Sequence, residues 1–327
     1  MIGAQKCGTT SLFEYLRRHP GLVLPRAKEW AYFSNDAHFQ ARGWSDYLGE
    51  LFTGADPNAK WGTVTPQYMA GGIAHEAAST ISPDSGNTER IIPLRIREQL
   101  PDVRLIALLR DPVPRAWSHY RHAVLQGLEH RTFADAIDSA LEPSALDAAR
   151  RRPDEVAGYV AWGEYGRILE AYAAVFPRDQ LLVLFTEELE RSPAQLLRRV
   201  YDFVGAAPDV VSSNLDVRYL EGATALRVPA LGKGSRFSPW GLQRAAARSG
   251  VARRIWHLMR PRRRYQLELA FQRVAYSLDL WNRRPEVDYP PEDVADRLRA
   301  HFAADGARLI AALDVLPPWM ADAGGSA

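Results

Sequence analysis

Residues 105–109, LIALL, form an unbroken apolar run behind Arg104, and Arg110, Asp111 and Pro112 follow at once. A run with no polar residue at alternate positions suits a strand covered on both faces. Such strands lie in parallel sheets, whose crossover helices supply both covers. The remaining pattern agrees. Further short strands are expected at 22–24, at 61–69 up to a turn at Pro66, and at 181–185 (LLVLF). Helical spacing is read over 9–20, 43–52, 110–127, 163–177 and 192–205. The last carries Ser192 as N-cap, Pro193 at its first position and Gly205 past its end. The segment 290–313 reads as helical with a break near Asp305-Gly306. Alternating strands and helices predict an α/β fold of three layers, a central parallel sheet flanked by helices. It is expected as one domain over 1–327, with 206–290 as an irregular and helical cap within it.

Composition adds exclusions. With 46% hydrophobic and 24% charged residues the chain has an ordinary globular balance, and 327 residues can bury a sizeable core. A net charge of +2 makes no demand for nucleic acid. A single cysteine, Cys7, rules out an intrachain disulfide framework and a cysteine-rich metal site. No apolar run approaches the roughly 20 residues of a membrane span, and the start lacks a signal-peptide layout. A soluble, cytoplasmic protein is expected. If "MIG" ends the first strand, that strand is nearly absent, so a few apolar residues are expected upstream.

The loop MIGAQKCGTTS places Gly3 and Gly8 at the spacing of a phosphate-binding P-loop, yet Thr9-Thr10 follow where Lys-Thr would stand. The lysine is Lys6, inside the loop. Glycines let backbone N–H groups approach an anion, and the following helix turns its positive end towards it. Thr9, Thr10 and Ser11 add hydroxyls. The competing reading is a plain glycine turn capping a helix. A second anion site is read at Arg110, which ends the buried run, with Ser118 two turns into the next helix. There the competing reading is an arginine paired with Asp111 or another carboxylate. Both segments leave carboxyl ends of strands, where ligands of open α/β sheets bind. Two such sites suggest a ligand with two separated anionic ends.

These stretches carry a resemblance. GAQKCGTTSL resembles the 5′-phosphosulfate loop of sulfotransferases, and LLRDPVPRAWSHY, with its arginine-to-serine spacing of eight, resembles their 3′-phosphate motif. PRAKEWAYF (25–33), FPRDQLLVLFTEEL (176–189) and the C-terminal helical stretch are similar to the bacterial and Golgi heparan-type branch. The resemblance covers nearly the whole chain. It implies a P-loop-like sulfotransferase fold and 3′-phosphoadenosine 5′-phosphosulfate (PAPS) as donor, released as PAP. It implies donor contacts from Gly3, Lys6, Cys7, Gly8, Thr9, Thr10, Ser11, Arg110 and Ser118. The loop LGKGSRFS (231–238) resembles one that folds over the 3′-phosphate, which adds Lys233, Gly234, Arg236 and, outside the loop, Arg227. A lysine within the loop can stabilise charge on the leaving phosphate, so no metal is expected.

Transfer to a hydroxyl needs a general base. Glu29 follows the strand at 22–24 and, by the resemblance, holds the position of the base. Its competing reading is a pair with Lys28 or a helix cap. His122, one turn after Ser118, is the rival, and His19 at a helix end needs no role. Glycosaminoglycan relatives carry Glu-Lys before Thr-Pro. Here Thr63-Val64 stand there, which weighs against a polyanionic glycan. The expected acceptor is a hydroxyl, less favourably an amine, of a small molecule, lipid or saccharide. Eight arginines between 244 and 264 suggest contact with a membrane surface or an acidic acceptor, or else a solvated helix face. Two alternatives stand beside this reading: a P-loop-type kinase acting on a small molecule, and a non-catalytic PAP(S)-binding protein.

Overall fold

The structure, a computed structural model, describes residues 1–41, 43–70, 88–151, 154–208, 215, 225–226, 283–284 and 289–321. The chain divides into two units. The first comprises Met1–Trp117, Phe133–Leu220 and Pro290–Ala327, and the second Ser118–Thr132 and Glu221–Tyr289.

The first unit is built on parallel ladders. β1 (Leu22–Val23) pairs with β2 (Lys60–Trp61), and β3 (Leu105–Leu109) pairs with β4 (Leu181–Phe185), both parallel. The opening residues join the two pairs. Gly3 bridges Ala107 in parallel, with Ile2 N–H on the Ile106 carbonyl at 2.9 Å and Ala4 N–H on the Leu108 carbonyl at 2.8 Å. On its other side, Met1 donates to the Thr63 carbonyl at 2.6 Å and accepts from Thr65 N–H at 3.0 Å, the hydrogen-bond alternation of a parallel pair. The order across the sheet is β1, β2, opening segment, β3, β4. The chain leaves the opening segment towards β1 and leaves β3 towards β4. The order therefore reverses between these two central strands, and the crevice beyond their carboxyl ends is where such sheets bind ligands.

All five residues of β3 are buried, as a strand covered on both faces requires. Helices Thr9–Leu16, Ile91–Gln99, Tyr165–Ala173, Pro193–Val204 and Glu292–Leu313 supply core residues around the sheet. Helix Glu292–Leu313 runs without interruption, so the break expected near Asp305-Gly306 is corrected. Both residues are used by neighbours. Asp305 accepts from the N–H groups of Gly166 and Arg167 at 2.7 and 2.8 Å, capping helix Tyr165–Ala173 from outside. A Cβ at Gly306 would stand 2.3 Å from the Met320 sulfur.

Helix Tyr165–Ala173 begins at a buried ion cluster. Glu164, nearly inaccessible, takes both ends of the Arg150 fork at 2.9 and 2.6 Å, Arg167 Nε at 2.7 Å and His301 Nε2 at 3.0 Å. Arg167 also reaches Glu89 at 2.6 Å. Burial pushes the Glu164 carboxyl up, but His301, Arg150 and Arg167 outweigh it and hold it at about 2. Glu164→Ala leaves two arginines facing no carboxylate there and is expected to lose about 3–5 kcal/mol in urea unfolding. Because the folded value lies below the ordinary 4.5, this stabilisation is full above about pH 4.5 and fades as pH falls towards 2. The variant should therefore show a flatter loss of stability over that window. Unchanged midpoints at neutral and acid pH would show the cluster to be incidental.

In the second unit, Ser118–Thr132 holds the end of helix Pro112–Gln126 and a tight turn after it. Glu129 accepts from the N–H groups of His130 and Arg131 and from the Arg131 guanidinium, which holds its carboxyl at about 2. The Tyr120 hydroxyl donates to the Arg131 carbonyl at 2.9 Å. Ala225–Leu226 pair antiparallel with Arg283–Arg284.

Candidate active site

Past Ala4 the backbone leaves the sheet and turns twice. Lys6 and Gly8 both have positive φ, 68° and 84°, while Cys7 between them does not. Alternating handedness over successive residues turns their N–H groups to one side and forms an anion-binding concavity. Helix Thr9–Leu16 starts at once, with Leu12 N–H to the Gly8 carbonyl as its first rung, so the amides before Leu12 precede the ladder. There is no acidic residue in that first turn to compete for the positive end. Thr9 and Ser11 are buried and Thr10 is half-buried.

The loop is anchored from below. The Thr186 hydroxyl lies 2.8 Å from the Cys7 carbonyl and 2.9 Å from the Leu109 carbonyl, tying loop to β3. The Cys7 thiol is fully buried, 3.4 Å from the Tyr165 hydroxyl, and burial pushes its pKa up. Cys7 can therefore meet a ligand only through its backbone. Gln5 Nε2 donates to Glu155 at 2.8 Å. Gly3 lies against Met69, whose sulfur would be 2.6 Å from an added Cβ, so the strand approaches closely only without a side chain.

Arg110 ends β3 beside this loop and is half-buried. The competing pair with Asp111 is not formed. Asp111 spends one carboxylate oxygen on Val113 N–H at 2.9 Å, capping helix Pro112–Gln126, and among the described residues no salt bridge reaches Arg110. The Tyr165 hydroxyl meets the backbone of Arg110. Glu187 faces the same corner, with Asp111 N–H 3.5 Å from its Oε1. Burial raises the pKa of both carboxyls. Thus the loop and Arg110 flank the reversal point of the sheet. Ser118 and His122 stand one turn apart in helix Pro112–Gln126, both half-buried, in the second unit. Arg227, Lys233, Gly234, Arg236 and the arginines of 244–264 lie outside the described residues.

Glu29 stands at the carboxyl end of the neighbouring strands. Its N–H donates to the Val64 carbonyl at 2.7 Å, and its φ is 72°. Lys6, Glu29 and Asp314 are the non-glycine residues of positive φ among those described, and two of the three are the residues assigned to transfer. Left-handed backbone at non-glycine residues is uncommon and gathers at functional sites. What holds Glu29 there is its successor. The Trp30 carbonyl accepts from the hydroxyls of Tyr68 (2.9 Å), Thr65 (3.2 Å) and Tyr47 (3.3 Å). The Glu29 carboxylate is exposed and meets Lys28 Nζ at 2.7 Å, the pair foreseen as its competing role, and Gln67 Nε2 at 3.2 Å. His19 serves structure: Nδ1 accepts from Gly21 N–H at 3.0 Å and Nε2 lies 2.9 Å from the Ala207 carbonyl.

Sequence reasoning did not single out Thr186, Glu187 and Gln67. Each acts through a partner distant in sequence, and only the TEE run after LLVLF hinted at the first two. Among the described residues no group of three His, Cys, Asp or Glu gathers as metal ligands, and no helix is long and apolar enough to cross a membrane.

A family model described as "Sulfotransferase domain" matches residues 1–228. Heparan sulfate glucosamine 3-O-sulfotransferase 3B1 of Mus musculus is 26% identical over 227 residues, 69% of this chain and 50% of that protein. The bifunctional heparan sulfate N-deacetylase/N-sulfotransferase of Drosophila melanogaster is 26% identical over 254 residues, 71% of this chain and 22% of that protein. The matched region thus spans half or less of these relatives. The crystal structure of a sulfotransferase from Alicyclobacillus acidocaldarius superposes with a TM-score of 0.59 over 96% of this chain and 94% of that one, at 22% identity, a likeness of fold. With the family model matched over residues 1–228, most of its length, this chain belongs to the sulfotransferase domain family.

Proposed function

We propose that the protein moves a sulfuryl group from PAPS to a hydroxyl of an acceptor and releases PAP. The observation that supports this is the placing of the Lys6–Gly8 turn and of Arg110 at the carboxyl ends of two adjacent strands, two cationic elements of which the second has no salt-bridge partner among the described residues. PAPS has two separated anionic ends of that kind. In the transfer the acceptor oxygen forms a bond to sulfur, the bond from sulfur to the 5′-phosphate oxygen breaks, and the acceptor's proton passes to Glu29. Lys6 and the loop amides stabilise the charge that develops on the departing phosphate. Glu29, exposed at the same sheet edge with its backbone fixed, is open to an acceptor arriving from solvent.

The acceptor is a saccharide or another hydroxyl-bearing small molecule. The named relatives act on heparan sulfate, which supports a sugar. The absence of Glu-Lys ahead of Thr65-Pro66 supports one less heavily charged. The test is a screen of neutral and anionic saccharides and of hydroxylated and amine small molecules with labelled PAPS. Label moving to hydroxyl acceptors, with stoichiometric PAP, is the expected result. Label retained in PAPS across the whole panel, by protein that binds PAP tightly, would favour the non-catalytic alternative.

A further inference from the structure

We infer that Gln67 is a positioning residue for the transfer reaction, holding the Glu29 carboxylate in the orientation from which it takes the acceptor's proton. The inference rests on the reading of Glu29 as the base. Gln67 Nε2 donates to Glu29 Oε2 at 3.2 Å, while Lys28 Nζ holds Oε1 at 2.7 Å. The two contacts grip one carboxylate by its two oxygens. Lys28 is its chain neighbour on a long, flexible stem. Gln67 comes from the turn Pro66–Met69, distant in sequence, and fixes the direction.

Both ends of the Gln67 contact are carried on rigid backbone. Gln67 lies in the turn Pro66–Met69, whose Tyr68 hydroxyl donates to the Trp30 carbonyl and whose Tyr68 carbonyl accepts from the Tyr172 hydroxyl at 2.8 Å. Glu29 is fixed through Val64 and through the same Trp30 carbonyl. Thr65, which precedes the turn, bonds the Met1 carbonyl of the central strand. The base and its orienting amide are therefore registered to the strand that leads into the Lys6 loop.

The orientation of the amide is set by chemistry. Its NH₂ must face the carboxylate, because Oε1 in that place would set two acceptors against each other. That leaves Gln67 Oε1 buried with no hydrogen-bond partner among the described residues. Buried polar atoms without partners are rare in folded proteins and need a reason. Packing alone gives none, since a methionine of similar length would fill the space without the unmet oxygen. The contact with Glu29 gives one.

The experiment compares Gln67→Met, Gln67→Glu, Glu29→Gln and the double variant Glu29→Gln/Gln67→Met. Sulfuryl transfer is read as PAP release from labelled PAPS with water as the probe acceptor, beside thermal unfolding and PAP affinity. Gln67→Met is expected to lower kcat about ten- to a hundred-fold, the effect of a misplaced catalytic group, with PAP affinity and Tm unchanged or Tm raised. Gln67→Glu places a second carboxylate against Glu29 and Lys28, so the acid limb of its rate profile should move to higher pH. In the Glu29→Gln background, Gln67→Met should add little, since there is no base left to orient. A slow Glu29→Gln enzyme with a fully active Gln67→Met would overturn the inference and leave the base in place. Full activity in both would overturn the reading of Glu29 itself. A Gln67→Met enzyme whose activity falls only in step with a lowered Tm would make Gln67 a structural residue and overturn the inference.

Discussion

Glu29→Gln is expected to slow sulfuryl transfer roughly 10²–10⁴-fold, about 3–5 kcal/mol of barrier, while PAP affinity stays within a factor of two or so. The substitution keeps the side chain's length and a hydrogen-bonding end but removes the atom that can take a proton. Little should change in the fold, because the Glu29 carboxylate is exposed and its salt bridge to Lys28 is of the kind that contributes about 0–1 kcal/mol. The positive φ and the Val64 contact belong to the backbone and survive in glutamine. Steady-state rates beside calorimetric PAP titration separate the two effects. Near-normal turnover would shift the role to His122 or to an acceptor that needs no base. Lost PAP binding would instead make Glu29 a support of the donor loop.

Arg110→Ala should weaken PAP by about ten- to a hundredfold or more, the worth of a forked charge-assisted contact at roughly 1.5–3 kcal/mol. The loss should be much smaller for adenosine 5′-phosphosulfate, which lacks the 3′-phosphate. The structure sharpens this expectation. If Arg110 were paired with Asp111, the variant would also break a structural contact, but Asp111 is engaged as the cap of helix Pro112–Gln126. Melting temperature without ligand should therefore hardly move. Equal weakening of both nucleotides would make Arg110 structural and dissolve the second anion site.

Much of this architecture was legible because it rests on local pattern. LIALL announces a strand covered on both faces, and Ser192, Pro193 and Gly205 mark a helix that runs from Pro193 to Val204. The glycine loop foretold a tight turn into a helix, though not that Lys6 would supply one of its two left-handed residues. Helix Ile91–Gln99 escaped notice because Pro93 reads as a breaker. It stands in the first turn, where a missing N–H costs little. The expected break at Asp305-Gly306 failed for the opposite reason. Two poor helix formers stand inside a continuous helix, Asp305 as the cap of helix Tyr165–Ala173 and Gly306 where Met320 leaves no room for a side chain. The contacts of Gln67, Thr186 and Glu187 could not be read from local pattern, since their partners Glu29, Cys7 and Asp111 are brought to them only by the sheet order. Of the two readings of Glu29, the pair with Lys28 is formed in the structure, with Gln67 added to it, and the role as base is left to the Glu29→Gln experiment.

The central claim is that the paired anion elements are built for PAPS rather than for a nucleoside triphosphate, and titration calorimetry with PAP and with ATP, each with and without magnesium, tests it most directly. PAP should bind without magnesium, and at a hundredfold excess over its Kd should stabilise the fold by about 2.7 kcal/mol through mass action. ATP should bind more weakly, with or without the metal. ATP binding as tight as PAP, and only in the presence of magnesium, would contradict the account and favour a P-loop-type kinase.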